Sequence, residues 1–253
     1  ICEESPREAV RQGLKLLYDI KEIREANREY LTNPKLKFDD KYLKRGEFGE
    51  LILYYLLQEK LGKPQLISKL YFKDSYNSVV HGFDAVHFDK ISKELWIGES
   101  KFYKDKNSAL RDLADDLNKH FNIDFFNQEF TIIKRRFGDL SAQDDDINSL
   151  VDPETKLLSK IININACFFA LFDSKIVNSF SYESGTDNPS QEFLDVLKKA
   201  VEKTKFDFDK KISTYPYKDK LKIHLFLFPV NSKFKLIQAL HNKLKREQAL
   251  YDN

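Results

Sequence analysis

Three ionisable residues occupy positions where a pleated hairpin would hold core side chains: Asp84 in HGFDAVHF, and Glu99 and Lys101 in ELWIGESKFY. Strand side chains alternate faces with period two, so Glu99 and Lys101 project from one side of their strand and Ser100 from the other. A turn at 89–94 brings the Asp84 strand alongside, where the aspartate can lie across from that pair. Enclosing such charges is costly unless something compensates, and a divalent cation between two carboxylates does so well. A hard ion such as Mg²⁺, with Mn²⁺ as its substitute, takes carboxylates, a backbone carbonyl and waters. Asp84 and Glu99 are the candidate carboxylate ligands, and Ser100 is the candidate for the carbonyl. An ammonium beside such an ion, here Lys101, orients a water nucleophile or stabilises charge developing on a phosphate.

The segment KRGEFGELILYYLL offers a fourth member. Glu47 and Glu50 are three residues apart, so on a helix they share one stripe beside the apolar face and can reach the sheet edge. Glu50, which directly precedes the apolar run, is the favoured second carboxylate; the alternative is a pair of solvated helix acids. Glu-x-Lys alone identifies nothing, since Glu154-Thr-Lys156, Asp173-Ser-Lys175 and Asp209-Lys-Lys211 share the spacing. What separates Glu99 is the order around it: an acid-bearing helix, a strand, an Asp-bearing strand, then the strand carrying Glu-x-Lys. The bland alternative for Asp84, Glu99 and Lys101 is a buried ion pair with a hydrogen-bonded aspartate.

Other candidates have ordinary competitors. His81 and His87 fall on the face opposite Asp84 in an unbroken strand and read as core or surface histidines, although a bulge at Gly82 would let His81 orient substrate. Tyr54, Tyr103 and Lys104 lie close enough to contact phosphate, or to pack. The sequence has no phosphate-binding Gly-x-x-x-x-Gly-Lys-Ser/Thr loop. Cys2 and Cys167 are too far apart for a zinc or redox motif, and Cys167 in NACFFALF reads as a buried thiol.

The elements that must position these residues follow from periodicity. Ser5, Pro6 and Glu8 form a capping box that starts a helix running to Asn33-Pro34. A second helix covers 43–61, with Phe48, Leu51, Ile52, Tyr55 and Leu56 at helical spacing, and Gly62-Lys63-Pro64 stops it. Strands are expected at 65–72, 79–88 and 94–103, then helical patterns over 107–136. The continuous apolar run 161–172 predicts a strand buried on both faces, followed by a helix at 189–205, a strand at 222–230 and a helix from Ser232. This order predicts an α/β protein with a mixed sheet covered by helices on both faces.

The chain of 253 residues, 42% hydrophobic and 32% charged, suits one large globular domain. Its parts are an N-terminal helical extension (1–42), a core carrying the candidate site (43–136), an acidic loop (137–160) and the C-terminal half of the sheet with its helices (161–253). No apolar run approaches the roughly 20 residues of a spanning helix, and no signal-peptide pattern opens the sequence, so no membrane association and a cytoplasmic location are expected. The net charge of +2 is uneven: residues 198–253 carry 14 Lys and Arg against 6 Asp and Glu, and residues 139–154 carry six acids and no Lys or Arg. The basic end suits a polyanionic partner, or is a solvated lysine-rich face.

The arrangement over 43–136 resembles the PD-(D/E)xK nuclease superfamily, the restriction-endonuclease-like fold. The resemblance implies Asp84 and Glu99 as metal ligands, Lys101 as the catalytic lysine and Glu50 as the first-helix acid. The motif's proline is absent, with Gly82-Phe83 before the aspartate. HGFDAVHF followed by LWIGESKFY more narrowly resembles the HamA family, effector nucleases of the Hachiman anti-phage system that act with a helicase, HamB. That resemblance implies a Mg²⁺-dependent DNA nuclease restrained by a helicase subunit. The rival expectation is a nuclease-like fold that binds nucleic acid or a helicase without cutting.

Overall fold

Side-chain alternation along one central strand decides how the sheet is covered. The computed structural model describes residues 46–68, 82–122, 124 and 163–251, together with Arg7, Gln12, Leu14, Lys15, Leu17 and Tyr18. Its strands are β1 (Gln65–Ser68), β2 (Ala85–Asp89), β3 (Glu94–Phe102), β4 (Ile164–Asp173) and β5 (Lys222–Val230). They lie in the order β1-β2-β3-β4-β5, so β3 is central. The pairs β1–β2 and β2–β3 are antiparallel, and β3–β4 and β4–β5 are parallel. The helices are α1 (Glu47–Tyr55), continued by a π-helical turn over Leu56–Lys60, then α2 (Lys106–His120), α3 (Gln191–Lys211) and α4 (Lys233–Tyr251). A 3-10 turn covers Lys175–Ser179. This is the mixed α/β sheet flanked by helices that the sequence predicts.

Alternate residues of β3 enter different cores. Leu95 and Ile97 join Leu110, Leu113 and Leu117 of α2, with Phe208 of α3 on the same side. Trp96 and Phe102 join Phe48 and Leu53 of α1, with Ile237 and Leu244 of α4. β4 is buried along nine consecutive residues, as its unbroken apolar run requires, and Cys167 is fully enclosed there. Leu17 and Tyr18 close the α1 and α4 side: the Tyr18 hydroxyl meets His241 Nδ1 at 2.9 Å, and Gln248 Nε2 donates to the carbonyls of Leu14 and Tyr18.

Local chemistry sets the element ends. Gly62 adopts φ +63 where the α1 continuation stops, the left-handed geometry that glycine takes without steric cost. α3 extends to Lys211, beyond the expected 205, because Thr204, Phe208 and Ile212 continue its buried stripe. β2 begins at Ala85, so Asp84 precedes the strand, after a bend in which Gly82 has φ +121. The capping box at Ser5 to Glu8, the helix over 125–136, the acidic loop at 137–160 and His81 lie outside the described residues.

α1 approaches the sheet closely because Gly49 on the helix and Gly98 on β3 leave room where the two meet. A Cβ on Gly98 would lie 2.6 Å from Leu53 Cδ2 and 3.3 Å from Ala85 Cβ, and one on Gly49 would lie 2.8 Å from Ser100 Oγ. Leu53 is fully buried and has little room to retreat. Gly98→Ala is therefore expected to destabilise the fold by about 1–3 kcal/mol through overpacking. Denaturant unfolding should show this loss reduced when Leu53→Ala is added, and additive losses would disprove the contact.

Candidate active site

The face of β3 that meets α2 carries a polar ladder. Tyr103, just beyond the strand, donates its hydroxyl to Asp112 Oδ2. Lys101 Nζ stands 2.5 Å from Asp116 Oδ2. Glu99 Oε1 meets His120 Nδ1 at 2.8 Å. The rungs form because two pitches nearly agree: two residues along a strand advance about 6.7 Å and four along a helix about 6 Å. α2 returns past β3 after a short link, and Asp105 caps it by accepting from the Ser108 amide at 2.7 Å. Leu113 and Leu117 bury the neighbouring stripe of the helix and hold Asp116 and His120 over the strand.

Glu99 lies at the base, with its side chain 4% exposed, while Lys101 and His120 side chains are each 23% exposed at the mouth. Burial, then the charge of Asp84, push the Glu99 carboxyl up to about 7, against the opposing pull of His120. Burial works against the charged form of His120, yet its bond to Glu99 and the nearby Asp116 hold its pKa above the usual imidazole value. Lys101 is likewise opposed by burial and raised by Asp116, Glu99 and Asp84.

Asp84 stands at the entrance to β2. Its amide donates to the Gly98 carbonyl at 3.0 Å, and its Oδ2 accepts from both the amide and hydroxyl of Ser100 at 2.8 Å. The β2–β3 register ends at Ala85 opposite Gly98, so its next step sets Asp84 at the level of Glu99. Asp84, Glu99, Ser100 and Lys101 are thus brought to one end of the hairpin. Glu50 follows Gly49, the residue that meets Ser100, and its Oε2 is sealed from solvent; Glu47 is buried.

His87 is fully buried with Nδ1 2.7 Å from the Lys63 carbonyl, so it is a core histidine, and Tyr54 packs beside it with ring centroids 5.8 Å apart. Tyr103 belongs to the ladder, and Lys104 is exposed. The sequence reading missed Asp112, Asp116 and His120. Their signal was present as spacing of four beside an apolar stripe, matching the spacing of two in Glu99, Lys101 and Tyr103.

Among the described residues, Glu99, Asp116 and His120 form a group able to hold a metal ion, with ligand atoms all within 4.8 Å of one another. The donor set fits a divalent cation: a buried carboxylate held partly protonated by its own surroundings is a place where added positive charge is favourable. Asp84 borders this group through its charge on Glu99, and Glu50 lies outside it.

Fold and site together define an α/β protein whose central strand carries a buried acid and a lysine into a candidate metal centre. A family profile for HamA matches residues 6–244, and the chain belongs to the HamA family. It is accordingly a Hachiman defence-associated protein. Searches of curated proteins and of solved structures gave no match. Among the described residues, no helix is long and apolar enough to cross a membrane.

Both Glu99 and His120 bind protons more tightly folded than unfolded, so in metal-free protein their joint contribution is greatest at acid pH. It falls as pH rises from the unfolded carboxyl range through about 7, the folded value of Glu99. Unfolding free energy measured in chelator should decline over that window by up to about 1.4 kcal/mol per pH unit for each differentially bound proton. Glu99→Gln should flatten the decline, and an unchanged slope would exclude this account.

Proposed function

We propose that the chain is a metal-dependent DNA nuclease of the PD-(D/E)xK type, the effector of a helicase-coupled anti-phage system. The observation that carries this reading is the convergence of Asp84, Glu99 and Lys101 at one end of the β2–β3 hairpin, beside a group of ligands suited to a divalent cation. Membership of the HamA family supports it. Glu99 would hold the cation, Mg²⁺ or Mn²⁺, with Asp84 beside it and Glu50 as the candidate acid on α1. When bound, a divalent cation supplies Lewis acidity toward a phosphodiester oxygen and the attacking water. Lys101, kept charged and directed by Asp116, neutralises charge that develops on the phosphate during in-line displacement. Lys104 and the basic C-terminal region supply positive charge for the DNA backbone.

A second reading, a nuclease-like module that binds nucleic acid or a helicase without cutting, is favoured by one feature. Glu99 and Lys101 each already have a partner in the chain, which is the ion-paired arrangement a structural role would give. Plasmid cleavage separates the two readings. Lys101→Ala should lower metal-dependent cleavage by about 10²-fold or more while the circular dichroism spectrum stays that of a folded protein. A folded wild type that binds DNA but never cuts it, with either metal, would establish the second reading.

Control by a partner completes the proposal. The chain forms a complex with a helicase subunit and cuts poorly while bound, and ATP-driven movement of the helicase on DNA releases it. Co-expression with the helicase, followed by size-exclusion chromatography and cutting assays with and without ATP, should show co-elution and ATP-dependent cleavage. Separate elution would remove the partner, and equal cutting by free and bound protein would remove the restraint.

A further inference from the structure

Resting on the nuclease reading above, we propose that His120 is a nitrogen ligand of the metal centre, so that the site takes a divalent first-row transition ion in preference to Mg²⁺. The spacing of the donors supports this. Glu99 Oε1 and His120 Nδ1 are 2.8 Å apart. Adjacent ligands of an octahedral ion with bonds of about 2.1 Å lie about 3 Å apart, so the separation matches one edge once the proton shared between the two atoms is displaced. The Asp116 donor falls within 4.8 Å of both, where a third position requires only a small inward movement. Asp116 engages Lys101 through Oδ2, and a carboxylate carries a second oxygen that can face a cation at the same time.

The surroundings suit coordination. Asp116 and His120 lie four apart on α2, the spacing that puts two ligands on one helix face. Phe83, itself buried, meets the His120 ring edge to face with centroids 6.1 Å apart and so restricts its rotation. Solvent reaches His120 and Lys101 at the mouth while Glu99 closes the base, which gives an ion a way in and leaves positions for water or phosphate. Asp84, Glu99 and Asp116 all act electrostatically on Lys101, so three acidic side chains lie near the proposed ion. Mg²⁺ favours oxygen donors and keeps much of its hydration, whereas imidazole nitrogen suits first-row transition ions. The imidazole is therefore the element that discriminates between them.

Mn²⁺ is the probe, because its electron spin reports nitrogen coordination directly and independently of cleavage. Purified full-length protein freed of metal is titrated with Mn²⁺, alone and against Mg²⁺, and the bound ion is examined by electron spin echo envelope modulation. The expected result is ¹⁴N modulation from wild type, converted to ¹⁵N frequencies when only histidine is labelled, and Mn²⁺ bound at least about tenfold more tightly than Mg²⁺. His120→Asn and His120→Gln, checked for folding by circular dichroism, should lose the modulation and most of the preference while still binding Mn²⁺ weakly. Glu99→Gln should weaken Mn²⁺ and Mg²⁺ together. Bound Mn²⁺ without nitrogen modulation, or modulation that survives in a folded His120 variant, would overturn the assignment of His120 and leave the nuclease reading intact. Absence of any Mn²⁺ or Mg²⁺ binding would overturn both.

Discussion

A central strand must be covered on both faces, and β3 meets that demand while carrying Glu99 and Lys101 inward. The rest of the site depends on how those charges are satisfied. The ladder between β3 and α2 does it by geometry: residues two apart on the strand face residues four apart on the helix, and the small mismatch in rise stays tolerable over three rungs. Each rung has a different chemistry. A hydroxyl meets a carboxylate at Tyr103, an ammonium meets a carboxylate at Lys101, and a carboxyl meets an imidazole at Glu99. The most enclosed rung is the one whose proton equilibrium is pushed furthest, which follows from solvent loss at the base of the cleft.

The opposite face of β3 contributes through closeness rather than charge. Gly49 and Gly98 let α1 settle on the strand, and the same approach brings the helix against Ser100. Ser100 in turn fixes Asp84 with two hydrogen bonds. The aspartate is therefore positioned by backbone and hydroxyl geometry from one side of the sheet while its charge acts on Glu99.

Most of the fold was legible in the sequence because its elements have strong, unmixed periods. The run at 161–172 had no polar interruption, and β5 occupies the expected 222–230. Asp84, Glu99 and Lys101 were legible as charges out of place in a strand. Asp116 and His120 were not, because a charged residue on a helix is ordinary and only its partner on the strand gives it meaning. The sequence pattern ends α3 too early, since Thr204 breaks the apolar pattern although it is buried, with its hydroxyl bonded to the Ala200 carbonyl. Alternation in the sequence puts Asp84 inside a strand that starts one residue later, because the backbone turn at Gly82 is a local conformation and leaves no periodic trace.

The partners within the site are near neighbours along the chain: Asp84 and Ser100 are separated by 16 residues and Glu99 and His120 by 21. The parallel strand β4, by contrast, reaches β3 only after a long crossover. Closing short loops costs less entropy and proceeds faster than long-range parallel pairing. The hairpin and α2 can therefore assemble into a cleft with its charges already matched while the nascent chain is still supplying the second half of the sheet.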